Sequence, residues 1–144
     1  MSFTAIRKKL QNINAEPGKI SWGYALGIFL AATPFIGLKV FIALGISSLF
    51  RISKVASVFG VYHINPITAP AFYAIAFYIG RAVLGVNATF NYPQHPELKD
   101  MAGILLGDNG ILLSLATGGV ILGLPMAAAA YYLSYAMVRK RNPA

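Results

Sequence analysis

The sequence contains no cysteine and few charged residues. Without cysteine the chain can form no disulfide framework and no zinc–thiolate site, and it offers no thiol for catalysis. Charged residues make up 11% of the chain, whereas a soluble domain carries about 25%. The chain therefore cannot cover a globular surface with polar groups, which excludes an ordinary soluble domain.

The sequence also lacks the motifs of common catalytic sites. It contains no paired carboxylates, no Ser-His-Asp arrangement, no P-loop and no G-x-G-x-x-G fingerprint. His95, Glu97 and Asp100 have a spacing that could supply metal ligands. Because Pro96-Glu97 also reads as a helix start, we predict no metal site. We expect a non-enzymatic protein that uses no cofactor.

Three long runs carry no charged residue. They are Ile20–Leu38 with 19 residues, Val55–Gly80 with 26 and Asn109–Val138 with 30, and a helix that spans a bilayer needs about 20. No run alternates in polarity as membrane strands do. Together with a mean hydropathy of +0.63, these runs predict an all-α integral membrane protein with polytopic helices.

Two apolar stretches are interrupted by residues that break helices. Ile20–Phe50 is broken at Pro34–Lys39, and Val55–Val86 is broken at His63–Pro66. In lipid such breaks persist only where protein or a polar cavity covers the backbone, and paired breaks indicate a transporter-type site. The arm Val40–Phe50 is about 16 Å long as a helix, roughly half the hydrocarbon thickness. We therefore predict two proline-broken, re-entrant segments.

The pattern divides the chain into three parts. Residues 1–19 are predicted to form an amphipathic basic helix in the headgroup region, because apolar residues from Phe3 to Ile13 share one face; a solvated tail is the alternative. Residues 20–138 form a single membrane domain, and residues 139–144 form a basic cytoplasmic tail. Within the membrane domain we predict a broken hairpin (20–50), a broken segment (55–86), an external loop (87–109) and a final transmembrane helix (111–138).

Pairs of small residues recur at a spacing of four along the apolar runs. Such pairs let two helix backbones approach closely. They predict helix–helix contacts, either within one chain or between chains, at Gly23/Gly27, Ala43/Ser47, Ala76/Gly80 and Gly119/Gly123.

The net charge of +8 is concentrated in clusters that flank the apolar runs. This distribution follows the positive-inside rule and argues against nucleic-acid binding. It places both termini in the cytoplasm and the loop 87–109, which sums to −2, on the outer side of the membrane. The terminal basic residues predicted to contact lipid headgroups are Arg7, Lys8, Lys9, Arg139, Lys140 and Arg141.

Four segments occur in an order that resembles a family of uncharacterised bacterial inner-membrane proteins. They are the glycine-spaced start Gly23–Phe29, the P-x-x-G break Pro34–Lys39, the basic loop Arg51–Lys54 and the N-P-x-T segment Asn65–Pro70. Lys39 and Ser53 stand where the family often has Gln and Asn. The resemblance implies a small polytopic membrane protein without established catalytic activity. Some relatives are attached to glycosyltransferases that work with lipid-linked sugars.

Lys39 is the sharpest candidate for a functional side chain. An ammonium inside a bilayer costs at least about 2.5–3.5 kcal/mol, so it usually faces a cavity or a partner. It could contact an anion such as a lipid phosphate at a helix start, snorkel to the headgroups, or bond to backbone carbonyls at the break. The predicted ligand site comprises Lys39 with Pro34, Gly37, His63, Asn65 and Thr68.

At the second break, Asn65 is predicted to cap a helix that begins at Pro66. His63 is expected to be a packing residue rather than a proton relay. These assignments support a protein that binds or moves an anionic lipid or a small anion where the two breaks meet. The alternatives are a scaffolding subunit and a small ion channel. We expect membrane lipids, further copies of the chain and a glycosyltransferase or another envelope enzyme as partners.

Overall fold

The computed structural model describes residues 3–35, 37–64, 67–87, 107 and 109–139. This part of the chain is all-helical and contains no strand, as the apolar runs predict. It forms six helices: α1 (Phe3–Gln11), α2 (Pro17–Ala32), α3 (Lys39–Leu49), α4 (Lys54–Val61), α5 (Ala69–Leu84) and α6 (Asn109–Arg139).

Helix α6 is the axis against which α1, α2 and α5 pack, whereas α3 and α4 pack on α2. It is 31 residues long, about 46 Å at 1.5 Å per residue. Among the described residues it is the one helix both long and apolar enough to cross a membrane; α3 and α5 are apolar but shorter. Pro125 lies inside α6 without ending it.

Helices α2 and α5 pack against different halves of α6, and both run antiparallel to it. In α5, Ala76 lies beside Gly118 and Gly80 lies beside Ser114. In α2, Ala32 lies beside Gly119, and Trp22 is 5.0 Å from Tyr131 between ring centroids. The C-terminal end of α2 therefore meets the first turns of α5 near the Gly118-Gly119 pair.

The small-residue pairs form these contacts within one chain. A Cβ on Gly118 would overlap the carbonyl of Ala76, and a Cβ on Gly27 would overlap the carbonyl of Ser57 in α4. In α3, Ala43 and Ser47 are buried, and the Ser47 hydroxyl lies 2.6 Å from that of Ser57. Interhelical packing of small residues is the mode expected for helices that associate in lipid.

The apolar stripe of α1 is covered by the protein itself. Leu10 is fully buried in a cluster with Ile20 and Val138, and Ile6 and Ile13 pack on that cluster. Gln11 donates a hydrogen bond from Nε2 to the carbonyl of Met137 at 3.0 Å. The stripe thus docks on the start of α2 and the end of α6, and the headgroup location of residues 1–19 stays a prediction.

Proline stands at the start of α2. Pro17 is its first residue, and the Ile20 amide bonds to the Glu16 carbonyl at 3.1 Å. Proline favours the first helical turn because its missing N–H has no intrahelical partner there.

Helix α5 begins at Ala69 rather than at Pro66. A helix starting at Pro66 would place Pro70 where an N–H must bond to the carbonyl four residues earlier, and proline has no N–H to donate. The start at Ala69 puts Pro70 in the first turn instead, where it is tolerated.

Candidate functional site

The first break begins at the C-terminal end of α2. The Leu30 carbonyl would bond to the amide of residue 34, but Pro34 has no N–H. Two donors of Thr33 bond to the Leu30 carbonyl in its place: the amide at 3.2 Å and the hydroxyl at 2.7 Å. Thr33 and Pro34 are both buried, so the helix end is satisfied without water.

Gly37 and Leu38 then turn the chain into α3. Gly37 has φ of 82°, a left-handed conformation that glycine adopts without a steric penalty. The turn makes Lys39 the first residue of α3. Its side chain is thereby directed back toward the end of α2.

The Lys39 ammonium bridges two neutral oxygen atoms. Its Nζ donates to the Ala31 carbonyl at 2.8 Å and to the Tyr73 hydroxyl at 2.5 Å. The Tyr73 hydroxyl in turn donates to the Ala31 carbonyl at 3.4 Å, and Nζ lies 5.2 Å from the centroid of the Tyr73 ring. Ala31 supplies one of the last carbonyls of α2, which have no partner inside the helix. We call Ala31, Lys39 and Tyr73 the junction.

The junction holds a positive charge without a carboxylate among the described residues. The chain has four acidic residues, and Glu16 is the one that the structure describes. Glu16 pairs with Lys19 at 3.1 Å at the opposite end of α2. Lys39 is partly buried, and an ammonium has three donors. Two of these donors bond to the oxygens of Ala31 and Tyr73. Both oxygens are neutral, so they do not balance the positive charge of Lys39.

The junction also joins the two broken segments. Lys39 follows the first break, and Tyr73 lies in the second turn of α5, after the second break. Ala31 is adjacent to the Ala32–Gly119 contact. Measured along α6, Gly119 is about 30 Å from Arg139 and about 15 Å from Asn109. The site thus lies well inside the length of the apolar helix.

At the second break, His63 lies against Tyr24 and away from Lys39. His63 Nδ1 lies 3.4 Å from the Tyr24 hydroxyl, and the two rings meet edge-on. Tyr24 precedes Ala31 by seven residues, about 10 Å along α2. Thr68 occupies the N-cap position of α5, and its carbonyl accepts the Phe72 amide at 3.1 Å. Asn65 and Pro66 lie outside the described residues.

His63 lines a cavity of about 310 Å³ beneath α1. The other lining residues are apolar except for Tyr24, and they include Ile6, Met126 and Met137. The contact with Tyr24 and these neighbours agree with a packing role for His63.

Of the basic residues predicted to contact headgroups, Arg7, Lys8 and Lys9 lie on α1, and Arg139 is the last residue of α6. Lys8 and Arg139 are exposed, and the Arg139 guanidinium lies 6.0 Å from the centroid of the Tyr135 ring. Because Gln11 bonds to Met137, these two helix ends are neighbours. The side chains of Arg7 and Lys9, together with Lys140 and Arg141, lie outside what the structure describes, as do His95, Glu97 and Asp100.

Sequence reasoning missed Tyr73, the side chain that completes the junction. The available signal was a tyrosine within the apolar run after the second break, since a buried tyrosine hydroxyl usually finds a hydrogen-bond partner. Its partner could not be named, because Lys39 and Tyr73 are 34 residues apart. The Lys39–Ala31 bond realises the third role considered for Lys39, a bond to a backbone carbonyl at the break.

In the described residues, fold and site define a small all-helical protein with one long apolar helix and a partly buried lysine that connects the first break to helix α5. The chain belongs to the family DUF2062, described as an uncharacterised protein conserved in bacteria, whose sequence model matches residues 2–143. This confirms the family resemblance and extends it over nearly the whole chain. Comparison with curated proteins and with solved structures finds no match.

Proposed function

We propose that the protein is a non-enzymatic, multi-pass protein of the bacterial inner membrane that binds and moves an anionic lipid or a small anion at the junction. The observation that carries the proposal is the Lys39 ammonium, held by two neutral oxygens where the two broken segments touch. A phosphate or another anion would supply the countercharge that no described carboxylate provides.

Membrane insertion is supported by the apolar side chains on the outer faces of the helices. Phe41 and Leu49 of α3 are 72% and 77% exposed, and α5 exposes Ile75 and Val83. Contiguous apolar surface of this kind is rare on soluble monomers. In a bilayer the same side chains would face lipid tails.

Helix lengths support re-entry of the first broken segment. Helices α2 and α3 have 16 and 11 residues, about 24 Å and 16 Å, and both are shorter than the hydrocarbon core of about 30 Å. A hairpin entered from the basic end of α6 would end at membrane depth near Gly119. Helix α4 would then enter from the same side and α5 would continue outward along the first half of α6.

The arrangement of basic residues supports cytoplasmic termini. The contact between Gln11 and Met137 brings the end of α1 beside the end of α6. The Ser53 amide bonds to the Lys19 carbonyl at 3.0 Å, so the loop with Arg51 and Lys54 lies at the start of α2. These basic segments share one end of the bundle, as the positive-inside rule expects for a cytoplasmic face.

Scaffolding is the second candidate, and the junction geometry itself favours it. Lys39 and Tyr73 already satisfy the Ala31 carbonyl, so the same contacts would serve a clamp that only fixes the shape of the bundle. A clamp of this kind suits a subunit that docks on a glycosyltransferase or another envelope enzyme. Transport by so few helices would in turn call for a homo-oligomer to enclose the pathway.

Reconstituted vesicles separate transport from scaffolding. The purified protein is placed in vesicles with fluorescent phosphatidylglycerol or phosphatidylcholine, and an impermeant quencher reports transbilayer movement. We expect faster movement of the anionic lipid, and at least a tenfold loss in Lys39→Met, which keeps the aliphatic stem but removes the charge. Lys39→Arg keeps the charge and should retain part of the activity.

Arg81→Gln is the matched control, since it removes one cation from α5 away from the junction. Its transport should equal that of the wild type. Thermal unfolding in detergent shows whether each variant is folded. If the folded wild type moves neither lipid nor ions, and Lys39→Met behaves in the same way, scaffolding remains as the function.

A further inference from the structure

An apolar groove separates α2 from α3 at the basic end of the bundle. Its volume is about 460 Å³, and its lining is entirely apolar: Trp22, Leu26, Ile46, Phe50 and Ile52. Trp22 and Leu26 lie on one face of α2, and Ile46 and Phe50 face them from α3. Trp22 is also largely exposed, and an exposed indole at the end of an apolar helix is typical of the membrane interface.

Arg51, between two groove residues, has an unfavourable backbone conformation. Helix α3 ends in a Schellman motif, in which the Ile52 amide bonds to the Ser47 carbonyl at 3.0 Å and the Arg51 amide bonds to the Ser48 carbonyl at 3.4 Å. This motif requires a left-handed residue, usually glycine, after the cap. Arg51 occupies that position with φ of 52°. Because a side chain there costs conformational energy, its presence indicates a use for the guanidinium.

Three basic residues lie in the segments that border this end of the groove. Arg51 lies between Phe50 and Ile52, and Lys54 begins α4. Lys19 lies one turn before Trp22 on the same face of α2, and its carbonyl accepts the Ser53 amide at 3.0 Å. Glu16 pairs with Lys19, which leaves a local net charge of +2.

We propose that this groove holds an acyl chain of an anionic phospholipid, with the phosphate bound by Arg51, Lys54 and Lys19. An apolar groove bordered by basic segments complements a lipid that has an apolar chain and an anionic head. A second copy of the chain fits less well, because it would bring an equally positive surface to the same end of the groove. The site depends on the membrane insertion proposed above, but not on an anion at Lys39.

Native mass spectrometry of the full chain in detergent measures this binding. The protein is titrated with phosphatidylglycerol and with phosphatidylcholine of the same acyl chains. We expect phosphatidylglycerol to bind at least tenfold more tightly. Arg51→Gly keeps the left-handed turn and removes the guanidinium, so it should lose most of this preference while its thermal unfolding temperature stays equal or rises.

Leu26→Trp tests the groove itself, since the larger ring fills it and should weaken binding of both lipids. Arg81→Gln removes the same charge elsewhere and should bind like the wild type. In a Lys39→Met protein, Arg51→Gly should still lower the preference for phosphatidylglycerol, which separates failure of this site from failure of the junction.

Two results would overturn the proposal. One is an unchanged lipid preference in a folded Arg51→Gly protein. The other is a dimer that Leu26→Trp converts to a monomer without any change in lipid binding, since the groove would then be an interface between copies of the chain.

Discussion

Glycine at position 118 sets the distance between α5 and α6. Its Cα faces the backbone of Ala76 so closely that a Cβ would overlap the Ala76 carbonyl. Gly45 in α3 provides the opposite environment, because a Cβ there would have no neighbour within 4 Å. The same substitution should therefore have opposite effects at the two positions.

We predict that Gly118→Ala lowers the free energy of unfolding by about 1–3 kcal/mol, because α5 must move away from α6. Gly45→Ala should raise it by about 0.5–1 kcal/mol, because alanine loses less conformational freedom in a helix. Unfolding in detergent micelles measures both. Equal effects at the two positions would show that the close α5–α6 contact does not form.

At the scale of single residues, the sequence predicted which residues lie at helix–helix contacts, but it did not predict which residues they contact. The spacing of Gly23/Gly27 and Ala76/Gly80 marks faces that permit close packing. It carries no information on the partner, since glycine fits any close-packed backbone. Ser57 and Gly118 emerge as partners only when the chain is folded.

At the scale of elements, proline positions decide where the helices begin and end. Pro34 ends α2, and Pro17 and Pro70 stand in the first turns of α2 and α5. Both breaks were predicted from proline, while the start of α5 was misplaced because Pro66 and Pro70 offer competing starts. The competition is resolved by the missing N–H of Pro70, which excludes it from the second turn.

The junction links α2, α3 and α5 by hydrogen bonds, and Tyr73→Phe tests how much these bonds contribute to stability. Loss of the hydroxyl should lower the free energy of unfolding by about 1–3 kcal/mol, because Lys39 and the Ala31 carbonyl each lose a partner. Tyr78→Phe on the same helix is the control. Its side chain is 64% exposed, so the change should stay within about 0.5 kcal/mol.

A double-mutant cycle shows whether Lys39 and Tyr73 act together. Lys39→Met should destabilise the Tyr73→Phe protein less than it destabilises the wild type, since one shared bond is already missing. Additive effects in thermal unfolding would mean that the two side chains do not interact across the breaks.

At the scale of the whole molecule, α6 is the reference for depth. Helix α2 covers the half of α6 that ends at Arg139, α5 covers the half that begins at Asn109, and the junction lies where they meet. The long apolar helix α6 followed from composition, because its apolar run is too long for a strand. The docking of α1 on α6 did not, because an amphipathic stripe fits a lipid surface and a protein surface equally well.

The central claim is that the junction, where the two broken segments touch, lies inside the bilayer, and the depth of Phe35 at the first break tests it most directly. Phe35 follows Pro34 and is 51% exposed, and the chain has no cysteine, so a spin label on Phe35→Cys is unique and tolerated. The reference is Lys8→Cys on α1. Electron paramagnetic resonance in vesicles compares collisions of each label with oxygen, which concentrates in lipid, and with a water-soluble nickel chelate. We predict that oxygen dominates at position 35 and nickel at position 8; nickel accessibility at position 35 equal to that at position 8 would place the break in water and contradict the account.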